Sequence, residues 1–285
     1  MNCILVAMKS KFLAIDGFDI FYLEKNNQSN NIIFFIHGNS NSSRLWQHQF
    51  NDDRLSDYHL IAIDLPGHGQ SSFSSDPTKD YSVQRLGDLT YQIIKRLCSG
   101  KSLILCGFSL GSNVAAEVLA FEMKPKGVIL ISPTVVGESV KPQDLNDKEI
   151  IGKVLFSENV EEDDLIAYLN LASPSTTDGQ NAFIKEDYLK TDKKFRTGLM
   201  ESALNGALSD EIKLINDSKI DCLMISNQND KVVTPDLYNF SNLFSNTVEF
   251  VTVNMGGHYL PLEIPDQIIK NIAKFCNRVF RDSLD

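Results

Sequence analysis

One stretch limits the possible folds more than any other: Leu103-Ile104-Leu105-Cys106-Gly107-Phe108-Ser109-Leu110-Gly111, followed by Ser112-Asn113-Val114-Ala115-Ala116-Glu117-Val118-Leu119-Ala120. The apolar run has strand length and the second segment is rich in helix formers, so the chain must turn from strand to helix within the G-x-S-x-G pentapeptide. Such a turn raises the serine hydroxyl on a strained elbow, and glycines on either side leave room for close backbone approach.

The rest of the chain repeats the same grammar. Lys11 to Leu23 alternates apolar and polar residues around Asp16-Gly17, which predicts a β-hairpin with a D-G turn. Cys3 to Met8 is apolar but short, with Lys9 and Lys11 after it rather than before, and it reads as a frayed start or first strand. Ile32-Ile33-Phe34-Phe35-Ile36 and Leu60-Ile61-Ala62-Ile63-Asp64 are unbroken apolar runs suited to strands buried on both faces. Gly127 to Ser132, Asp221 to Ser226 and Val248 to Val253 read the same way, while Tyr81 to Leu97 has helical spacing. Alternating strands and helices predict an α/β fold, with a mainly parallel central sheet and helices on both faces. Ligands in such sheets sit outside the carboxyl ends of the strands.

Between Ser132 and Asp221 the pattern is helical and poor in strands, with candidate helices at Glu149 to Phe156, Asp163 to Leu171, Phe183 to Leu189 and Lys194 to Leu204. The expected division is a core of residues 1–133 and 218–285 and a helical cap of residues 134–217, inserted after strand 6. The acidic run Glu158 to Asp164 is read as a solvated helix start, where carboxylates meet the positive end of the dipole.

Charge and cysteine usage exclude several classes. With 27 basic and 37 acidic residues the net charge is -10, which argues against nucleic acid and anionic surfaces and leaves a small neutral substrate open. Five scattered cysteines without a C-x-x-C pair suggest neither a disulfide framework nor a thiolate zinc site, and a cytoplasmic location is expected. No apolar run is long enough to span a membrane. No H-x-H pair or ligand cluster calls for a metal, and no cofactor is expected. Oligomeric state is not legible, nor is the choice of Met1 or Met8 as start.

A serine nucleophile needs a base, a group to orient it, and donors for the oxyanion. His258, in the glycine-rich loop Met255-Gly256-Gly257-His258, is the candidate base; His37 and His68 lie in tight glycine turns and read as loop braces, and His48 and His59 have no comparable setting. Asp230, just after the Asp221 strand, is the candidate acid, in the order Ser, acid, His that this elbow requires. Its rival Asp236 reads better as an N-terminal helix carboxylate, and Ser132-Pro133-Thr134-Val135, after the preceding strand, offers no carboxylate. The oxyanion donors would be the backbone N–H of Leu110 and one from the loop after Ile36, with Asn39 as candidate; Asn39 also reads as an Asn-Ser turn residue.

With these residues in place the chain resembles the α/β-hydrolase fold superfamily, of the kind with a helical cap after the sixth strand. His37-Gly38-Asn39, Asp64 to Ser71, Gly107 to Gly111, Asp230 and Gly257-His258 carry the resemblance. It implies Ser109 as nucleophile, His258 as base, Asp230 as acid, and Asn39 and Leu110 as the oxyanion hole. Ser112 stands where many relatives carry a further glycine. Haloalkane dehalogenases and epoxide hydrolases of similar build use an aspartate nucleophile, and Ser109 sets the chain apart from them.

A finer similarity, carried by His37 to Ser43, Asp64 to Ser71, Phe156-Ser157-Glu158 and Phe280-Arg281-Asp282, is to the α/β-hydrolase-type N-acyl-homoserine lactonases. It implies substrate contacts for Phe108, where those lactonases carry tryptophan, and for Tyr168, which on residue pattern alone reads equally as a packing aromatic. The expected function is a serine esterase or lactonase acting through an acyl-enzyme. The competing expectation is a receptor-like protein of the same fold that binds a small ligand and turns it over slowly.

Overall fold

The computed structural model of the protein describes residues 8–122, 124–146, 148–206, 208–234 and 241–281. The expectation for Cys3 to Met8 falls outside these residues for all but Met8, and Asp236 also falls outside. The strands among the described residues are β1 (Lys9–Ile15), β2 (Phe18–Lys25), β3 (Asn31–Ile36), β4 (His59–Ile63), β5 (Ser102–Phe108), β6 (Gly127–Ile131), β7 (Asp221–Asn227) and β8 (Val248–Val253). They form one sheet in the order β1-β2-β4-β3-β5-β6-β7-β8. Among the described residues only the β1/β2 and β2/β4 pairs are antiparallel. The predicted D-G turn closes the β1/β2 hairpin, with Asp16 at φ 49° and Gly17 at φ 84°, the left-handed pair a tight two-residue turn requires.

The helices are α1 (Gln47–Asn51), α2 (Pro77–Asp80), α3 (Val83–Leu97), α4 (Leu110–Val118), α5 (Glu149–Leu155), α6 (Glu162–Ala172), α7 (Asp178–Lys190), α8 (Lys193–Leu204), α9 (Glu211–Ser218), α10 (Leu260–Glu263) and α11 (Pro265–Arg281). On α3 the apolar stripe Val83, Leu86, Leu89, Ile93 and Ile94 is buried, and on α11 so are Ile268, Ile272, Cys276 and Val279, so each lays one face on the sheet. The strand runs themselves are buried throughout at Ile32–Ile36, Leu60–Ile63 and Leu103–Phe108, as expected for strands covered on both faces. Among the described residues no helix is long and apolar enough to cross a membrane.

The chain leaves β3 for β4 on one side and then crosses to β5 on the other, so strand order reverses between β3 and β5, which pair in parallel with Ile36 opposite Gly107. A crevice opens at the carboxyl ends of such a pair, because the two outgoing loops diverge. The loop after β3 and the elbow after β5 are those two loops. Helices α5 to α8 occupy the strand-poor stretch after β6, and α6 begins with Glu162, Asp163 and Asp164 in its first turn as the acidic run predicts. The sequence pattern does not single out α9, which follows them, packs on α4 and leads into β7.

One cluster ties the helical stretch to the loop after β3. The buried Asp187 of α7 accepts from Ser42 Oγ at 2.6 Å and pairs with Arg44, whose Nη1 also reaches Glu186 at 2.9 Å. Asn39 Nδ2 donates to the Leu155 carbonyl at the end of α5, at 2.8 Å. The same loop is held from the core side by Asp64, whose Oδ1 accepts from Ser43 N at 2.6 Å.

Candidate active site

Ser109 sits between the end of β5 and the start of α4 with φ 50° and ψ -122°, a conformation that costs a residue bearing a Cβ on the order of 1–3 kcal/mol. Three contacts hold it there. Its N–H donates to the Ile131 carbonyl at 3.0 Å. Its own carbonyl accepts from Ser112 N at 2.7 Å and from Ser112 Oγ at 2.5 Å. Ser112 Oγ in turn accepts from Thr134 N at 3.0 Å, so the residue found where relatives carry glycine bonds the elbow to the loop after β6.

His258 Nε2 lies 3.0 Å from Ser109 Oγ, and His258 Nδ1 lies 2.8 Å from Asp230 Oδ2. A carboxylate only accepts, so the proton between His258 and Asp230 belongs on Nδ1, which leaves the Nε2 lone pair facing the serine hydroxyl. The second carboxylate oxygen, Asp230 Oδ1, accepts from Val232 N at 2.7 Å and Val233 N at 3.0 Å, which fixes the carboxyl plane. All three residues are buried, at 9 % (Ser109), 2 % (His258) and 5 % (Asp230) exposure, so their mutual bonds do not compete freely with water. The base loop is clamped too: His258 N donates to the Ala172 carbonyl at 2.7 Å, Ser132 Oγ donates to the His258 carbonyl at 2.8 Å, and Asn227 Nδ2 donates to Gly257 O at 2.7 Å.

The other histidines lie elsewhere. His37 Nε2 accepts from Leu65 N at 2.9 Å and His68 Nε2 accepts from Ser40 N at 3.1 Å, while each Nδ1 faces a backbone carbonyl of its own turn. Burial pushes His37 down to about 4 and His68 well below the ordinary imidazole range, so both are neutral braces between loops. His59 pairs with Glu24, and His48 meets Gln180.

Leu110 opens α4, directly after Ser109, so its N–H has no intrahelical acceptor. In the loop after β3, Ser40 takes a left-handed φ of 57° and the N–H groups of Ser40 and Asn41 are occupied, by His68 and by the Gly38 carbonyl. Asn39 therefore serves as the turn residue the sequence suggests, and its side chain bonds Ser40 Oγ as well as Leu155 O.

Ser109, Leu110 and Asn39 open into a cavity of about 640 Å³ whose wall is mostly apolar, with Val136, Leu155, Phe156 and Leu199 among its residues. Phe108 and Tyr168 are not on that wall. The Phe108 ring packs behind the site, 5.1 Å from the His258 ring and 5.5 Å from that of Tyr259. Tyr168 is buried with its hydroxyl bonded to Tyr259, and burial pushes its phenol well above the ordinary range. The cavity is instead lined by residues that the sequence does not mark, Asn113 and Thr134 next to the elbow and Val233 beside Asp230. Their approach comes from packing between distant segments, and no motif signals it.

A strained serine at a strand-to-helix elbow after β5, an aspartate after β7, a histidine after β8 of the same mainly parallel sheet, and a pocket over the switch point make up a candidate hydrolase-type site. The sequence profile of the α/β hydrolase fold matches residues 31–265, and the chain belongs to that family. The match to Protein PHYLLO, chloroplastic, of Arabidopsis thaliana covers 41% of this chain and 7% of that protein, at 26% identity. The chain likewise spans only 33% of a dihydrolipoyllysine-residue acetyltransferase component of the acetoin cleaving system of Cupriavidus necator, at 31% identity. The AB hydrolase superfamily protein YisY of Bacillus subtilis is matched more fully, at 23% identity over 86% of this chain and 91% of that one. Among solved structures, the N-acyl homoserine lactonase AidH complexed with N-butanoyl homoserine superposes with a TM-score of 0.83 at 19% identity, covering 95% of this chain and 97% of that one. A putative aryl esterase from Burkholderia cenocepacia gives a TM-score of 0.82 at 20% identity, covering 96% and 100%.

Proposed function

We propose that the protein is a serine hydrolase that cleaves a carboxylic ester or lactone through an acyl-enzyme on Ser109, with α5 to α8 forming the cap over its acyl pocket. The continuous hydrogen-bond chain from Ser109 Oγ through His258 to Asp230, at the floor of an apolar cavity, carries this reading. As Ser109 Oγ attacks the carbonyl carbon, His258 Nε2 takes its proton and Asp230 stabilises the imidazolium. The oxyanion is met by the backbone N–H groups of Leu110 and Asn39. His258 then returns the proton to the leaving alkoxide, and a water activated by the same nitrogen releases the acid. In a lactone the leaving alkoxide stays tethered to the acyl group, so ring opening and deacylation share one pocket.

Within this class we infer a lactone or short ester carrying an apolar acyl group. The apolar wall favours the acyl portion, and the similarity to AidH, a protein that acts on acyl homoserine lactones by its name, favours a lactone head. A hydrolysis screen that sets p-nitrophenyl esters of graded chain length beside N-acyl-homoserine lactones tests both levels. Lactone opening faster than linear-ester turnover is the expected result. Turnover of esters alone removes the lactone assignment. Failure of every substrate, together with no fluorophosphonate labelling of Ser109 and tight binding of an acyl ligand, would replace the hydrolase with a receptor-like binding protein.

A further inference from the structure

Glu211, the first residue of α9, is completely buried at 0 % exposure. Its Oε2 accepts from Asn113 Nδ2 at 2.7 Å and from Val136 N at 2.9 Å, while its Oε1 is buried with no hydrogen-bond partner among the described residues. One turn further along α4, Glu117 is buried as well; its Oε2 accepts from Ser209 Oγ at 3.0 Å and its Oε1 is also unpartnered. Each of these two buried carboxyl groups thus keeps one oxygen without a partner among the described residues.

The groups that face Glu211 are few. From α4 come Asn113 and Glu117, from the loop after β6 the backbone of Val136, and from the N-cap of its own helix Asp210, whose carboxylate accepts from Lys213 N at 2.9 Å. From α3, Gly87 packs so closely on Glu117 that a Cβ there would stand 2.3 Å from the Glu117 Cβ. No lysine or arginine makes an ion pair with Glu211 or Glu117 among the described residues. Burial, with Glu117 and Asp210 adding to it, pushes the Glu211 carboxyl up to about 8 against its two N–H donors. The α9 dipole favours the anion as well, but its effect is smaller than that of complete burial.

What Glu211 holds is the wall of the acyl cavity. Asn113, Thr134 and Val136 all line it beside Ser109. Asn113 Nδ2 also donates to Thr134 O at 2.8 Å, Thr134 Oγ1 donates back to Asn113 Oδ1, and Ile212 N donates to Val136 O at 3.1 Å. Resting on the ester-hydrolase reading above, we infer that Glu211 is a positioning residue for substrate specificity: through Asn113 and Val136 it fixes the cavity wall beside Ser109, and its ionisation releases that wall. Once charged, Glu211 is a completely buried anion with no paired cation among the described residues, and movement of α9 and the loop it holds relieves that burial.

The sign follows from linkage. A carboxyl whose pKa is raised on folding binds its proton more tightly in the native state, so native stability falls as pH rises from the ordinary glutamate value toward about 8, and the full penalty is present above that. Glu211→Gln removes the titration and keeps an oxygen for Asn113 and Val136. Across a pH range bracketing about 8, wild-type KM for the best ester is expected to rise about fivefold with kcat nearly level, while KM of Glu211→Gln stays flat. Glu211→Leu, which keeps no hydrogen bond, is expected to show the raised KM at every pH. Thermal unfolding over the same range supplies a second readout: wild type should lose stability relative to Glu211→Gln as pH rises. Equal KM profiles for wild type and Glu211→Gln, or parallel unfolding profiles, overturn the inference. Absence of wild-type turnover at any pH counts against the hydrolase reading instead, and the unfolding comparison then decides the role of Glu211.

Discussion

Asp230→Asn is expected to lower kcat by about 10⁴-fold and Ser109→Ala by about 10⁶-fold, both without loss of fold. The serine change removes the proposed nucleophile. The aspartate change is the more informative, because it is nearly isosteric and its damage comes from proton placement. Asp230 Oδ1 is fixed by two donors, Val232 N at 2.7 Å and Val233 N at 3.0 Å, so an asparagine must turn its carbonyl toward them. Its amide N–H₂ then faces His258 Nδ1, where the carboxylate oxygen stands 2.8 Å away in the native protein. Two donors cannot share that position, so the imidazole adopts the other tautomer and carries its proton on Nε2, toward Ser109. A protonated Nε2 cannot accept the serine proton. Steady-state kinetics on the best ester, with thermal unfolding to show that each variant is folded, measures the effect. An Asp230→Asn enzyme within tenfold of wild type would mean that Asp230 does not set the His258 tautomer.

Much of this was legible because it rests on short-range rules. Strands read as unbroken apolar runs when both faces are buried, and Ile32–Ile36 and Leu60–Ile63 are buried on both. The elbow reads from glycine spacing, the hairpin from Asp16-Gly17, and the α6 start from the acidic run before it. Ser109, Asp230 and His258 could be chosen because each follows a strand, and a parallel sheet brings the ends of its strands to one edge. What the sequence hid depends on side chains that meet across the fold. Nothing local distinguishes Glu211 from any helix-start glutamate, and its burial comes from the close seating of α9 on α4. Phe108 and Tyr168 illustrate the opposite limit: both sit in suggestive places in the sequence, yet packing sends one behind the His258 ring and the other against Tyr259. Chain position fixes which edge of the sheet a residue reaches, and rotamer and neighbours decide whether it meets the cavity.

The elbow glycines carry the second large expected effect, on stability. A Cβ on Gly111 would lie 2.2 Å from the Ile36 carbonyl oxygen and 2.7 Å from that of His37, and one on Gly107 would lie 2.2 Å from the Gly111 carbonyl oxygen. These are backbone atoms at the carboxyl end of β3 and in the first turn of α4, and β3 is itself held by pairing with β5 from Asn31 to Ile36, so they cannot yield as a flexible side chain would. Relief requires α4 to lift off the β3 end, and that movement pulls Leu110 away from Asn39 and strips Ser112 Oγ of its bonds to Ser109 and Thr134. Gly111→Ala is therefore expected to cost several kcal/mol, seen as a fall in Tm on the order of 10 °C or as failure to accumulate in soluble form. Gly152 in α5 is the matched control, since a Cβ there meets nothing within 4 Å. On an open helical site the same change should leave Tm unchanged or raise it, because alanine favours the helix over glycine by about 0.5–1 kcal/mol. A Gly111→Ala protein that unfolds with Gly152→Ala and wild type would show that the elbow can open at little cost, and the strain stored at Ser109 would then have no rigid frame to hold it.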